Sequence, residues 1–231
     1  IIPCVKDKNP RYLGGRTLLH LAANGGFWQI CSLLIPHLSD KNPKDDDGWT
    51  PLHCAADKGY LEVYNVFLDK VQDINPGGEG IWTPLHWAAE NGHFDVCKML
   101  IERLKEKNPG DKDGWTPMHC ATQSGHFKIV ELMIHYLEDK NPGDNFGVTP
   151  LHWASYFNHP KTVKLIMSHL QDKNPEGMVG VTPLQVAAEF GHLEVVKLFV
   201  EHPDVKILCD GSYTFLHSAA RYGSHELCKL L

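Results

Sequence analysis

Apolar residues recur along the chain at the spacing of one helical face. Cys97, Leu100, Ile101 and Leu104 form one such stripe; Val130, Met133, Ile134 and Leu137 form the next; Val163, Ile166, Met167 and Leu170 form a third. This i, i+3, i+4, i+7 pattern predicts amphipathic helices. A shorter helix precedes each. Thr50 suits an N-cap, and Pro51 fits the first helical position, where its missing N–H would be unpaired anyway. His53, Ala55 and Ala56 continue that helix with residues small enough for close packing, and Gly59 ends it in a left-handed conformation. After the longer helix, Asn-Pro and a polar stretch such as Asp45-Asp46-Asp47-Gly48 turn the chain back. Leu38, Val71, Leu104, Leu137 and Leu170 complete the apolar stripes, so the second helix is expected to run on for part of a turn before Asp-Lys-Asn-Pro stops it.

The pattern repeats. Thr17, Thr50, Thr83, Thr116, Thr149 and Thr182 are spaced by 33 residues, and Thr214 follows after 32. Asn9, Asn42, Asn75, Asn108, Asn141 and Asn174, each followed by proline, keep the same period. Two ladders in register define a tandem array. Its units read as 10–42, 43–75, 76–108, 109–141, 142–174 and 175–207, with the end of a truncated unit at 1–9 and a truncated last unit at 208–231, all within one domain. Two short helices cannot bury their own apolar faces, whereas stacked neighbours can. Neither end supplies the polar cap a solenoid needs, so the chain is expected to be a segment of a longer protein. The fifth unit carries Asn158-His159-Pro160 where Gly-His is expected. Its turn is therefore in question, and Pro160 would have to open the second helix.

The Gly-x-Thr-Pro-Leu-His-x-Ala-Ala core and the Gly-His after it resemble ankyrin repeats. Gly114-Trp115-Thr116-Pro117-Met118-His119-Cys120-Ala121 and Gly125-His126 carry the pattern nearly whole, and the resemblance extends along the entire chain. It implies an all-α solenoid of helix-turn-helix units with projecting β-hairpin-like loops, curved so that loops and first helices form a concave face. It also implies that the histidines after Thr-Pro-Leu tie neighbouring loops together. In that family an asparagine at the ladder position can be hydroxylated by a 2-oxoglutarate-dependent enzyme that favours a leucine eight residues earlier. Asn42, with Leu34, and Asn108, with Leu100, meet that preference. The alternative is turn chemistry, with the side chain bonding nearby backbone and the proline stopping the helix.

Composition narrows the function. Of 231 residues, 42% are hydrophobic and 22% charged, a globular balance, and the net charge of −6 argues against a broad nucleic-acid footprint. No apolar run of about 18 residues occurs, so no direct membrane insertion is expected. Seven cysteines without a Cys-x-x-Cys pair suggest neither a disulfide framework nor a zinc ribbon, and a reducing cytoplasmic or nuclear location is expected. Fifteen histidines invite a metal or acid–base reading. Ten of them occupy two repeat positions: His20, His53, His86, His119, His152 and His217 in one, His93, His126, His159 and His192 in the other. A structural role accounts for both sets, and no metal, cofactor or catalytic residue is expected. No dinucleotide, Walker or Gly-x-Ser-x-Gly element is present.

What remains is surface: loop tips, the residue before Thr, and the two residues before the helix-ending Gly. In the first units these are Asp45, Asp46, Trp49, Asp57 and Lys58, then Glu79, Trp82, Glu90 and Asn91, then Trp115 and Gln123. Later units give Asn145, Val148, Tyr156 and Phe157, then Met178 and Phe190, then Tyr213 and Tyr222. Acids thus surround a tryptophan ladder early in the chain, and aromatics dominate later. Exposed aromatics on one face suit protein binding, although tryptophan before Thr serves equally to stack between loops. The expected function is a non-enzymatic scaffold that holds a protein or peptide partner on its concave face, its oligomeric state unspecified. Two alternatives are a regulatory or assembly arm of a channel, kinase or ubiquitin ligase, and small-ligand or nucleotide sensing by the loops.

Overall fold

The computed structural model describes residues 9–77, 82–177, 180–205 and 225. It forms two compact units, residues 1–112 and 113–231. In the first, helices α1 (Leu18–Asn24), α3 (Pro51–Lys58) and α5 (Pro84–Glu90) alternate with α2 (Trp28–Leu34), α4 (Leu61–Phe67) and α6 (Phe94–Arg103). In the second, α7 (Pro117–Gln123), α9 (Pro150–Tyr156) and α11 (Pro183–Glu189) alternate with α8 (Phe127–Tyr136), α10 (Pro160–Ser168) and α12 (Leu193–Val200). No named strand occurs among the described residues. The loops between helix pairs are tight turns instead, as where Asp144 N–H bonds Val148 O at 2.9 Å and Gly147 N–H bonds Asp144 O at 2.9 Å.

Within each unit a helix packs on its pair-mate and on its counterpart in the neighbouring pair: α1 on α3 and α3 on α5 in the first, α7 on α9 and α9 on α11 in the second, with the second helices of each unit stacked likewise. The predicted stripes supply the core. Val63, Tyr64 and Phe67 in α4, Cys97, Leu100 and Ile101 in α6, and Val130 and Met133 in α8 are fully buried. The described cysteines, Cys31, Cys54, Cys97 and Cys120, are free thiols inside this core. Burial raises the Cys31 and Cys54 thiols to about 11 and Cys97 higher still, so they behave as small hydrophobes rather than nucleophiles.

One local expectation is corrected. The second helices do not run on through the last stripe residue: α6 ends at Arg103 and α8 at Tyr136, with Leu104 (φ −74°, ψ 141°) and Leu137 (φ −85°, ψ 148°) already extended. After α6, α8 and α10 the lysine of Lys-Asn-Pro caps the helix end, whereas α4, followed by Ile74 at that position, stops at Phe67 without one. Lys107 Nζ donates to the carbonyls of Ile101 (2.7 Å) and Leu104 (2.9 Å). Lys140 Nζ reaches Ile134 O (2.6 Å) and Leu137 O, and Lys173 Nζ reaches Leu170 O. An ammonium placed on otherwise orphaned carbonyls, at the negative end of the helix dipole, closes the helix. Near α2, Pro36 lies in a 3₁₀ turn over Ile35–His37, after which Leu38 is extended.

The fifth-unit turn resolves simply. Asn158 takes φ +57°, the one non-glycine residue with positive φ among those described, and Pro160 opens α10 at its first position. Asparagine tolerates the left-handed region better than most residues, so the turn survives without glycine.

Candidate functional site

The loops and first helices are held by one repeated device. Thr50 caps α3, and its backbone N–H donates to His53 Nδ1 at 3.1 Å, with the Thr50 hydroxyl 2.9 Å from the same nitrogen. His53 Nε2 lies 2.9 Å from Trp82 O, in the next loop. A backbone amide can only donate and a carbonyl can only accept, so the partners fix a neutral imidazole protonated at Nε2. His20 makes the same link to Trp49 O (3.0 Å), His119 to Val148 O (3.1 Å) and His152 to Val181 O (3.0 Å). Desolvation lowers the pKa of His20 and His152, and that of His53 to about 4. In α11 Gln185 replaces the histidine and accepts from Thr182 N–H at 2.7 Å.

The second histidine set joins neighbouring pairs at the other end of the first helix. His93 Nε2 lies 2.9 Å from Asp57 O, and His192 Nε2 lies 2.8 Å from Tyr156 O. His217 lies outside the described residues. Among those described, no cluster of His, Cys, Asp and Glu could hold a metal ion.

The asparagine ladder caps the next unit. Asn42 Oδ1 accepts from Leu52 N–H at 3.3 Å, and Asn75, Asn141 and Asn174 do the same for Leu85, Leu151 and Leu184 at 2.9–3.0 Å. Each satisfies an orphaned amide at the second position of a first helix, ten residues on. The side chain therefore does not close the local turn. That task belongs to aspartate: Asp40, Asp73, Asp139 and Asp172 accept from the asparagine N–H groups at 2.9–3.1 Å. Asn42 and Asn108 are half-buried.

On this scaffold the first unit carries three indoles in contact. The Trp87 ring lies 4.8 Å from that of Trp49 and 5.1 Å from that of Trp82, tilted by 50° and 57°. Trp82 Nε1 donates to Asp111 at 3.0 Å. Glu90, at the end of α5, is half-buried, and Asp57, near the end of α3, bonds Lys58 (2.9 Å) and Asn91 (3.1 Å). Asp46 is exposed, whereas Asp45, expected at an exposed loop tip, is 94% buried (6% exposed) and fully engaged. Its carboxylate accepts from Asp47 N–H (3.1 Å) and Trp49 N–H (2.8 Å) and pairs with Arg16 (3.3 Å), so it shapes the turn.

The second unit carries a different surface. Trp115 meets Trp153 at 5.0 Å, Trp153 stacks on Phe157 at 5.8 Å, and Tyr156 meets Phe190 edge-on at 4.5 Å. Beside them runs an apolar groove of about 480 Å³, walled by Phe146, Val148, Trp153, Tyr156, Val181 and Val186, with His152 and Gly177. Tyr156, Phe157 and Phe190 are each 38–39% exposed. Gln123 is half-buried, with its carbonyl 3.4 Å from His159 Nε2, while Asn145 is exposed and its N–H bonds Asp113 O. Glu79, Met178, Tyr213 and Tyr222 lie outside the described residues.

A family model described as ankyrin repeats (3 copies) matches residues 1–78, 85–177 and 169–231. The chain belongs to the ankyrin-repeat family. No curated protein sequence matches it. Ankyrin repeats are protein-interaction modules as a class, and the family is typically a non-enzymatic binding scaffold. In this ankyrin array the tryptophans before Thr turn out to meet other indoles at tilted or edge-on angles, and their partners are Trp87 and Trp153, which sequence reasoning passed over. Their position is occupied by Leu21, Cys54, Cys120 and Val186 in other units and looked like small core filling. The signal was Leu-His-Trp-Ala, found twice at residues 85–88 and 151–154, an aromatic where its counterparts are smaller.

Proposed function

We propose that these ankyrin repeats hold a protein or peptide partner on the face formed by loops and first helices, with the apolar groove of the second unit as the main anchor site. The observation that carries this reading is the groove itself. About 480 Å³ of apolar space stands beside three part-exposed aromatic rings, room for one or two large side chains of a partner. Its walls come from turns and helix starts fixed by the histidine links of His119 and His152, so the partner would dock on a preformed surface with little ordering cost. The lining carries no lysine or arginine, and His152 is already committed to Thr149 and Val181. That favours an apolar peptide side chain over a nucleotide.

Display selection of random peptides against the protein, with counter-selection against Tyr156→Ala, tests it. The expected outcome is a family of sequences sharing one or two large apolar residues that bind wild-type protein and not the variant. Selected peptides that bind both equally, or that share no apolar anchor, would place the binding surface elsewhere.

A further inference from the structure

The first unit holds a cavity of about 440 Å³ whose chemistry is the opposite of the apolar groove. One wall is the loop between α2 and α3, and the other is the chain that follows α4. Lys41 and Lys44 line it from the first wall and Lys70 from the second. We propose that this cavity binds a phosphate monoester, its charge held by the three lysines.

The repeat does not account for these lysines. Lys41 stands at the position of Lys107, Lys140 and Lys173, each of which caps the carbonyls at its helix end. At Lys41 that task is already taken. The carbonyl equivalent to that of Ile101 is Ile35 O, which accepts Leu38 N–H at 3.2 Å in the 3₁₀ turn. Among the described residues Lys41 caps no carbonyl and pairs with no carboxylate. Lys44 and Lys70 are exposed and equally unpaired among the described residues. The next boundary carries Ile74, Gly77 and Arg103 at the three positions, and the one after it Lys107, Gly110 and Tyr136. The array therefore forms without this trio.

The charge agrees. Asp40 and Asp73 also line the cavity, but each is tied to its own turn: Asp40 Oδ1 accepts Asn42 N–H at 3.1 Å, and Asp73 Oδ1 accepts Asn75 N–H at 2.9 Å. Among the described residues neither forms an ion pair with a lysine. Three lysines against two aspartates leave the lining positive on a chain whose net charge is −6. Lys41 is half-buried, and an ammonium drawn out of water gains most from an arriving anion. The field of Lys44 reaches inward as well: the pKa of His53, lowered chiefly by desolvation, is lowered further by the Lys44 charge. A phosphate monoester brings up to two negative charges and three acceptor oxygens, so one group can face all three lysines. A carboxylate brings one charge. Ammonium groups act on phosphate as point charges and do not need the planar fork of arginine.

The test titrates the whole protein with three probes at constant ionic strength and about pH 7.5, where a phosphate monoester is close to doubly charged. The probes are the acetylated amides of phosphoserine and of glutamate, and inorganic phosphate, with backbone amide signals followed by NMR. The phosphoserine probe is expected to shift the Lys41, Lys44, Lys70 and Gln72 signals saturably, with a Kd of about 1–10 mM and the glutamate probe about tenfold weaker. Inorganic phosphate binding as well as phosphoserine would assign the cavity to a free phosphate, and weaker binding to a phosphorylated side chain; either result keeps the site. Lys41→Ile and Lys44→Gly place the residues that stand at 74 and 77 in the next unit, so the fold should accept them. Each should weaken the phosphoserine probe several-fold at an unchanged melting temperature. No saturable shift below about 50 mM, equal affinity for phosphoserine and glutamate, or unchanged affinity in both variants would overturn the proposal. None of these results bears on the Tyr156 groove, whose peptide selection stands or falls separately.

Discussion

His53 Nε2 lies 2.9 Å from the carbonyl oxygen of Trp82, 29 residues further on, while its Nδ1 accepts the Thr50 amide. One imidazole thus caps its own helix and fastens the next loop, and both bonds require it neutral. Protonation at Nδ1 would set two donors against each other.

The pH dependence follows. The folded pKa of His53 is depressed from 6.5 to about 4 by desolvation, so the unfolded chain binds the proton more readily. Stability is complete above pH 6.5, declines as pH falls from 6.5 toward 4, and loses no more from this group below that. A shift of this size amounts to roughly 3 kcal/mol, and His20 and His152 add in the same direction. Thermal melts between pH 7.5 and 4 check it. His53→Gln, which borrows the residue standing at 185, should flatten the profile while lowering the melting temperature modestly at pH 7. An unchanged slope would remove His53 from the account.

The lysine caps make a second prediction. Lys107→Met keeps the aliphatic stem and removes the donor from the carbonyls of Ile101 and Leu104. The expected loss is about 1 kcal/mol, read by urea unfolding, with faster amide exchange confined to the end of α6.

Core truncation should separate two leucines of one region. Leu137, 9% exposed, should lose about 2–4 kcal/mol on replacement by alanine, and the half-buried Leu132 clearly less. Equal losses would contradict the burial described above.

Much of this was legible in the sequence. Thr-Pro starts, Gly stops and the spacing of Val130, Met133 and Ile134 announce helices and their buried faces, because capping and periodicity are local. The capping lysine and the ten-residue reach of Asn42 were not legible, because a side chain's partner depends on how the chain returns after the turn. Trp87 was overlooked for a related reason. A position whose counterparts are Cys54 and Cys120 reads as core, and only the neighbouring loops show Trp49 and Trp82 on either side of it. The exposed tip expected at Asp45 failed because its carboxylate closes the turn it sits in.

Asn158 offers a further check on the fifth turn. With φ at +57°, Asn158→Ala should cost about 1 kcal/mol and Asn158→Gly should be neutral or slightly stabilising. Hydrogen exchange over residues 150–165 should quicken in the alanine variant and stay unchanged in the glycine one.

The central claim, that aromatic side chains of the second unit serve a partner rather than the fold, is tested most directly by calorimetric titration of a selected peptide into wild-type, Tyr156→Ala and Phe157→Ala protein, with melting temperatures measured in parallel. The expected result is an affinity loss of about 1–3 kcal/mol for each variant, with melting temperatures nearly unchanged. Intact affinity with a large drop in melting temperature would show that these rings belong to the core.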